Sequence, residues 1–192
     1  MRLPLQTTKR GQMPIPLQSH SFALYSGNYQ LKDLTLDLIL LARHQGLSCL
    51  CSVAPAVFHQ LEKAIHRLEE LLDLDLTSYV HLEKLPADAA KASYAQRLAE
   101  KLWSSKQLNQ PSLHIIHYYQ DFWPRLTDLI RQERKKTKIL KNRPIGTIDL
   151  YSAEDFLPRI QTLFSIHPHY SEGVDIHRAG EKLRQELGMG RD

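Results

Sequence analysis

Short apolar runs alternate with longer segments whose apolar residues recur every three or four positions, and this alternation constrains the chain more than any other feature. The short runs are SFALYS (21–26), LSCLCSV (47–53), TSYVHLEKL (77–85), SLHIIHYY (112–119) and IGTIDLYS (145–152). Between them lie helix-like stretches. The first, YQLKDLTLDLILLARHQG, ends at Gly46 and carries apolar residues on more than one stripe, so it reads as a largely buried helix. The second opens at Pro55, which suits a first helical turn, and carries Phe58, Leu61, Ile65, Leu68 and Leu72. A third, from 87 to 106, is striped by Ala90, Tyr94, Leu98 and Leu102. A fourth starts at Asp121 and turns Phe122, Leu126, Leu129 and Ile130 inward. The fifth, SAEDFLPRIQTLF, opens on Ser152 and Asp155, spaced as in a capping box, with Pro158 set to kink or shorten it.

Strands separated by helices imply βαβ units, and continuous apolar strands imply burial on both faces. The expected fold is therefore α/β: a three-layer domain with a mostly parallel sheet of about five strands and helices on both faces. Its topology is of the degenerate RecA-like or Rossmann-like kind, without a phosphate loop. That likeness is one of layout and is not a family match. Residues 1–20, with several prolines and no acidic residue, read as a flexible N-terminal arm. Residues 21–165 read as the α/β domain, and 166–192 as a C-terminal extension. A narrow stripe of Ile176, Ala179, Leu183 and Leu187 suggests a short amphipathic helix in that extension.

Asp121 raises the sharpest chemical question, because an acidic residue after the strand LHIIHYY could serve a nucleotide-bound magnesium ion. That role needs a phosphate cradle, yet the loop after the first strand, YSGNYQLKD, holds one glycine. Neither G-x-x-x-x-G-K-[ST] nor G-x-G-x-x-G occurs in the chain. Asp121 is therefore expected to cap the following helix, with Pro124 in its first turn. No G-x-S-x-G elbow occurs either. Cys49 and Cys51, two apart in a strand, share a face and cannot easily bridge, so they read as buried free thiols of a reducing cytoplasm.

Ligands of parallel α/β sheets gather beyond the carboxyl ends of the strands. The residues expected at that edge are Tyr25, Ser26, Asn28, Ser52, Glu83, Lys84, Gln120, Asp121, Tyr151 and Ser152. They form no recognisable acid–base pair. His114 and His117, three apart in a strand, face opposite sides and read as satisfied core histidines. His167, His169 and His177, with Asp175 between them, are candidates for a metal site if their loop folds inward.

Charge is the remaining signal. The formal net charge of +4 comprises +6 in residues 131–143, +3 in residues 1–20 and −5 elsewhere. The basic segment holds Arg131, Arg134, Lys135, Lys136, Lys138, Lys141 and Arg143 against Glu133 alone. It follows the aromatic residues Tyr118, Tyr119, Phe122 and Trp123, a mixture suited to phosphate contact with stacking. No run approaches the length of a membrane span and no secretory h-region opens the chain. The expectation is a cytoplasmic, non-catalytic binding or regulatory domain. Its partner is a protein or a nucleic acid met through the basic segment, with no cofactor. The second reading is a metal- or small-ligand-dependent enzyme using the carboxyl edge of the sheet.

Overall fold

A computed structural model describes residues 14–85, 110–118, 126–172 and 175–178. The helix expected at 87–106, the Asp121 cap and the stripe from Ala179 to Leu187 lie outside these residues. The described strands are β1 (Ser19–Tyr25), β2 (Ser48–Val53), β3 (Val80–Lys84), β4 (Ser112–Tyr118), β5 (Ile145–Ser152), β6 (His169–Glu172) and β7 (Asp175–Arg178). The described helices are α1 (Gly27–His44), α2 (Pro55–Leu72), α3 (Leu126–Leu140), α4 (Ala153–Phe156) and α5 (Ile160–Ile166).

The strands form one open sheet in the order β3-β2-β4-β5-β1-β6-β7. Every pairing is parallel except the hairpin of β6 with β7. The α/β architecture expected from the sequence is thus present, with seven strands rather than about five. The two additional strands come from HPHYSEGVDIH, which reads as a loop because each strand is only four residues long. Ile176, expected on a helix, lies in β7 and is buried in the core. At the other end β1 begins at Ser19, and Ile15 is 4% exposed. The sheet therefore reaches into both segments that read as appendages.

The two faces of the sheet differ in chemistry. On one, Cys49, Cys51, Leu113, Ile115, Ile148 and Leu150 pack with α1 and α2 into the main apolar core. Helix α1 ends where the glycine pattern places its end. Gly46 has φ +71, and Gly46 and Leu47 donate to the carbonyls of Arg43 and Ala42, which satisfies two terminal carbonyls. The other face presents Phe22, Ile116, Tyr118 and Tyr151 to Phe156, Leu163 and Phe164. Pro158 breaks the fifth helical stretch as expected, leaving α4, a 3-10 turn at Leu157–Arg159, and α5. Ser152 is the N-cap of α4 but makes no side-chain cap bond, so the expected capping box is not formed. Helix α3 also covers this second face, and there the core ceases to be apolar.

His114 and His117 lie on opposite faces, as their spacing requires. His117 closes a buried chain of hydrogen bonds on the α1 side. The Ala54 N–H donates to His117 Nδ1 over 3.2 Å, which fixes the ring proton on Nε2. Nε2 lies 2.9 Å from Thr35 Oγ1, whose own proton goes to the Leu31 carbonyl.

Candidate functional site on the two faces of helix α3

Helix α3 carries the basic segment, and its 3.6-residue period divides that segment in two. Glu133, Lys136 and Leu140 turn inward and are 1%, 2% and 0% exposed, whereas Arg131, Arg134, Lys135 and Lys138 are exposed. Lys136 is therefore not a surface cation, which corrects its place among the expected partner-binding residues. The reason is Asp149, in the middle of β5 and fully buried, whose charge requires a cation beside it. Lys136 Nζ lies 2.5 Å from Asp149 Oδ2 and 2.7 Å from Glu133 Oε1, and donates to the Tyr118 hydroxyl over 3.3 Å.

Two histidines complete the cluster. His20, on β1, places Nδ1 2.9 Å from Glu133 Oε2 and Nε2 2.9 Å from Thr137 Oγ1. His167 follows α5, with Nδ1 3.1 Å from the Leu163 carbonyl. Its Nε2 lies 3.4 Å from Asp149 Oδ2 and 3.5 Å from Glu133 Oε2. Tyr151 stacks on Tyr118 with ring centroids 4.6 Å apart and closes the side of the cluster.

Burial and charge oppose one another here. Burial pushes the Glu133 carboxyl up, but Lys136, then His167 and His20, outweigh it and hold the group well below the usual carboxylate range. Burial favours a neutral Lys136 amine, yet Asp149 and Glu133 keep the ammonium charged well above its ordinary range. The phenols of Tyr118 and Tyr151 are raised by burial and by Asp149, so both stay protonated.

The metal candidates of the sequence separate in the structure. His167 enters the cluster, His169 Nδ1 meets Ser19 Oγ at 3.1 Å, and His177 stacks on Tyr170 at the sheet edge. Among the described residues, the group whose side chains could share one ion is His20, Glu133 and His167. In the sequence His20 falls in the arm-like stretch and Glu133 stands as the lone acid of the basic segment. The available signal was Asp149, a lone acid inside IGTIDLYS, since a central parallel strand leaves an aspartate no route to water.

At the carboxyl edge, the described candidates are largely occupied by structure. The Tyr25 hydroxyl donates to the Tyr118 carbonyl over 2.8 Å, and burial, with Asp155, pushes its pKa up to about 12. Ser52 and Tyr151 are buried, and the Gln30 side chain takes the Ser26 N–H. Ser26, Asn28, Glu83 and Lys84 are not buried, whereas Gln120 and Asp121 fall outside the described residues. Tyr118, considered for base stacking, is 3% exposed and committed to Tyr151.

On the outer side of α3, Ile130, Arg131, Arg134, Lys135 and Lys138 line a groove of about 430 Å³. Ile130, expected inward, is thus part of this outer surface. Lys141 is exposed and Arg143 half-buried just beyond the helix. Moving Lys136 and Glu133 inside removes one cation and one anion, so the surface of the segment keeps its net +6.

Compared with known protein families and with curated proteins, the chain finds no matching family model and no matching relative. No helix among the described residues is long and apolar enough to cross a membrane. Fold and site define an open α/β domain whose helix α3 is cationic outside and rests on a buried charge cluster.

Proposed function

We propose that this chain is a non-catalytic binding domain that engages the phosphate backbone of a nucleic acid through the outer face of α3. The observation that carries the reading is the spacing of Arg131, Arg134, Lys135 and Lys138. Positions i, i+3, i+4 and i+7 set four cations on one helical stripe along the groove, and Lys141 and Arg143 follow just beyond the end of the helix. Such a row suits a line of phosphates, because each neutralised phosphate releases a condensed counterion. The remainder of the chain, outside this segment and residues 1–20, carries a net −5 and repels phosphates.

The test is a mobility shift on single- and double-stranded probes at several salt concentrations. With six phosphate contacts, affinity should fall about a thousandfold between roughly 50 and 200 mM salt. Reversing Arg134, Lys135, Lys138 and Lys141 to Glu should abolish the shift while the far-UV spectrum stays native. Absence of any shift at low salt would remove the proposal and leave an acidic protein surface as the partner to seek.

A further inference from the structure

We propose that His20 Nδ1, Glu133 Oε2 and His167 Nε2 are the protein ligands of a buried divalent transition-metal ion, with zinc the reference ion. The inference is independent of what the outer face of α3 binds. It starts from proton accounting. A carbonyl oxygen can only accept, so the 3.1 Å contact to Leu163 fixes a proton on His167 Nδ1. The other ring nitrogen, Nε2, then faces two carboxylates, Asp149 Oδ2 at 3.4 Å and Glu133 Oε2 at 3.5 Å, a position in which a positive charge is favoured. Glu133, Asp149 and Lys136 together carry one negative charge in excess, which favours a further cation in the cluster.

The second observation is a set of close contacts that are not hydrogen bonds. His20 Nδ1 and Glu133 Oε2 lie 2.9 Å apart as a buried ion pair, yet the angles between them are not those of a hydrogen bond. Atoms that bond one another point at one another. Two ligands of one ion instead lie close together while both point at the space between them. Ligands about 2.0–2.1 Å from a tetrahedral ion sit about 3.3 Å apart. The distances from Glu133 Oε2 to the two ring nitrogens, 2.9 and 3.5 Å, fall on either side of that value. All three ligand atoms lie within 4.8 Å of one another.

The surroundings support the same assignment. Each ring has its other nitrogen against a protein oxygen, Thr137 Oγ1 for His20 and the Leu163 carbonyl for His167, as metal-ligating histidines are usually held. Lys136 engages the other carboxylate oxygen of Glu133, Oε1, and leaves Oε2 to the histidines. Two imidazoles and one carboxylate suit zinc, iron, cobalt or nickel rather than calcium or magnesium. The ligands come from β1, α3 and the residue after α5, so the ion would join three elements distant in sequence. Since they are 1–2% exposed, it would be acquired during folding or local opening.

The experiment is refolding of the full chain with Zn²⁺ or Co²⁺, followed by dialysis against buffer without metal. Metal content is then measured by mass spectrometry, and the cobalt form by visible absorption. We expect close to one retained ion per chain, d–d bands of a four- or five-coordinate site, and a Tm raised by several degrees that a strong chelator reverses during refolding. His20→Gln and His167→Gln should each lose at least tenfold in retained metal, whereas the double variant His169→Gln/His177→Gln should retain it fully. Failure of folded wild-type protein to retain metal would overturn the proposal, with a protonated imidazole as the missing charge. Retention that depends on His169 and His177 would overturn it equally.

Discussion

His117 offers the most sharply quantifiable consequence of this fold. The ring is 0% exposed, and burial lowers its pKa from 6.5 to about 3. The hydrogen bonds agree with a neutral ring: Nδ1 accepts from the Ala54 N–H, so a second proton there would face a donor. Unfolded chains take up that proton near pH 6.5 and folded ones only near pH 3, so between these values the unfolded state binds more protons. Stability contributed by the neutral ring is therefore whole above about pH 7 and falls as the pH drops through this window, by up to about 1.4 kcal/mol per pH unit. Integrated from about pH 7 to about pH 4, the loss from this one ring is about 3 kcal/mol.

His117→Asn removes the titration and keeps an amide oxygen that can accept from Ala54. It should cost about 2–4 kcal/mol at neutral pH through lost packing and the lost link to Thr35. The decisive quantity is the gap between wild type and variant in urea unfolding across the pH series. That gap should shrink by about 3 kcal/mol on reaching about pH 4, leaving the two proteins nearly equal. His114, lowered to about 4 by burial, and every other titrating group act alike in both proteins and cancel. A gap constant within about 0.5 kcal/mol would show that His117 is charged in the fold, or is not buried, and would refute the reasoning.

Lys136→Met should cost about 3–5 kcal/mol in urea unfolding, because it leaves two buried carboxylates without their ammonium, whereas Lys135→Met should stay within about 0.5 kcal/mol. Equal losses would mean that Lys136 is solvated after all. At Gly146 a Cβ would meet the Pro16 carbonyl oxygen at 2.8 Å, a backbone atom that cannot turn aside. Gly146→Ala should therefore lower the Tm of the full chain by several degrees, and by much less in a chain that begins at Ser19. The same loss in both would show that residues 14–18 do not pack on β5.

The layered architecture was legible because burial leaves a repeating trace. LHIIHYY and IGTIDLYS must be covered on both faces, and the helix-period stretches between them supply the cover. The extra strands were not legible, since β6 and β7 hold four residues each and β6 gains its place by pairing with the distant β1. Nor was the contribution of residues 14–20. Ile15 is a single apolar residue between Pro14 and Pro16, and only tertiary contacts, burial in the main core and a bond from its N–H to Gln45 Oε1, give it a place.

The charge cluster was hidden for a different reason. Sequence reading treats a charged residue in a helix as solvated, and α3 carries so many that the rule assigned all of them to water. The rule fails when the strand beneath carries a charge of its own. Asp149 in β5 makes a cation on the facing helix obligatory, and helical spacing then decides which one. From Leu140, the buried end of the stripe, steps of four and seven lead back to Lys136 and Glu133, while 134, 135 and 138 turn to the opposite side. Net charge could not reveal this division, because burying one lysine with one glutamate leaves the segment's surface charge unchanged. The cationic row outside and the cluster inside are thus two readouts of one helical phase. A one-residue insertion between Arg131 and Glu133 would rotate Arg131 by about 100° against the cluster. The cluster would keep its distances, and the row of cations would lose Arg131 from its line.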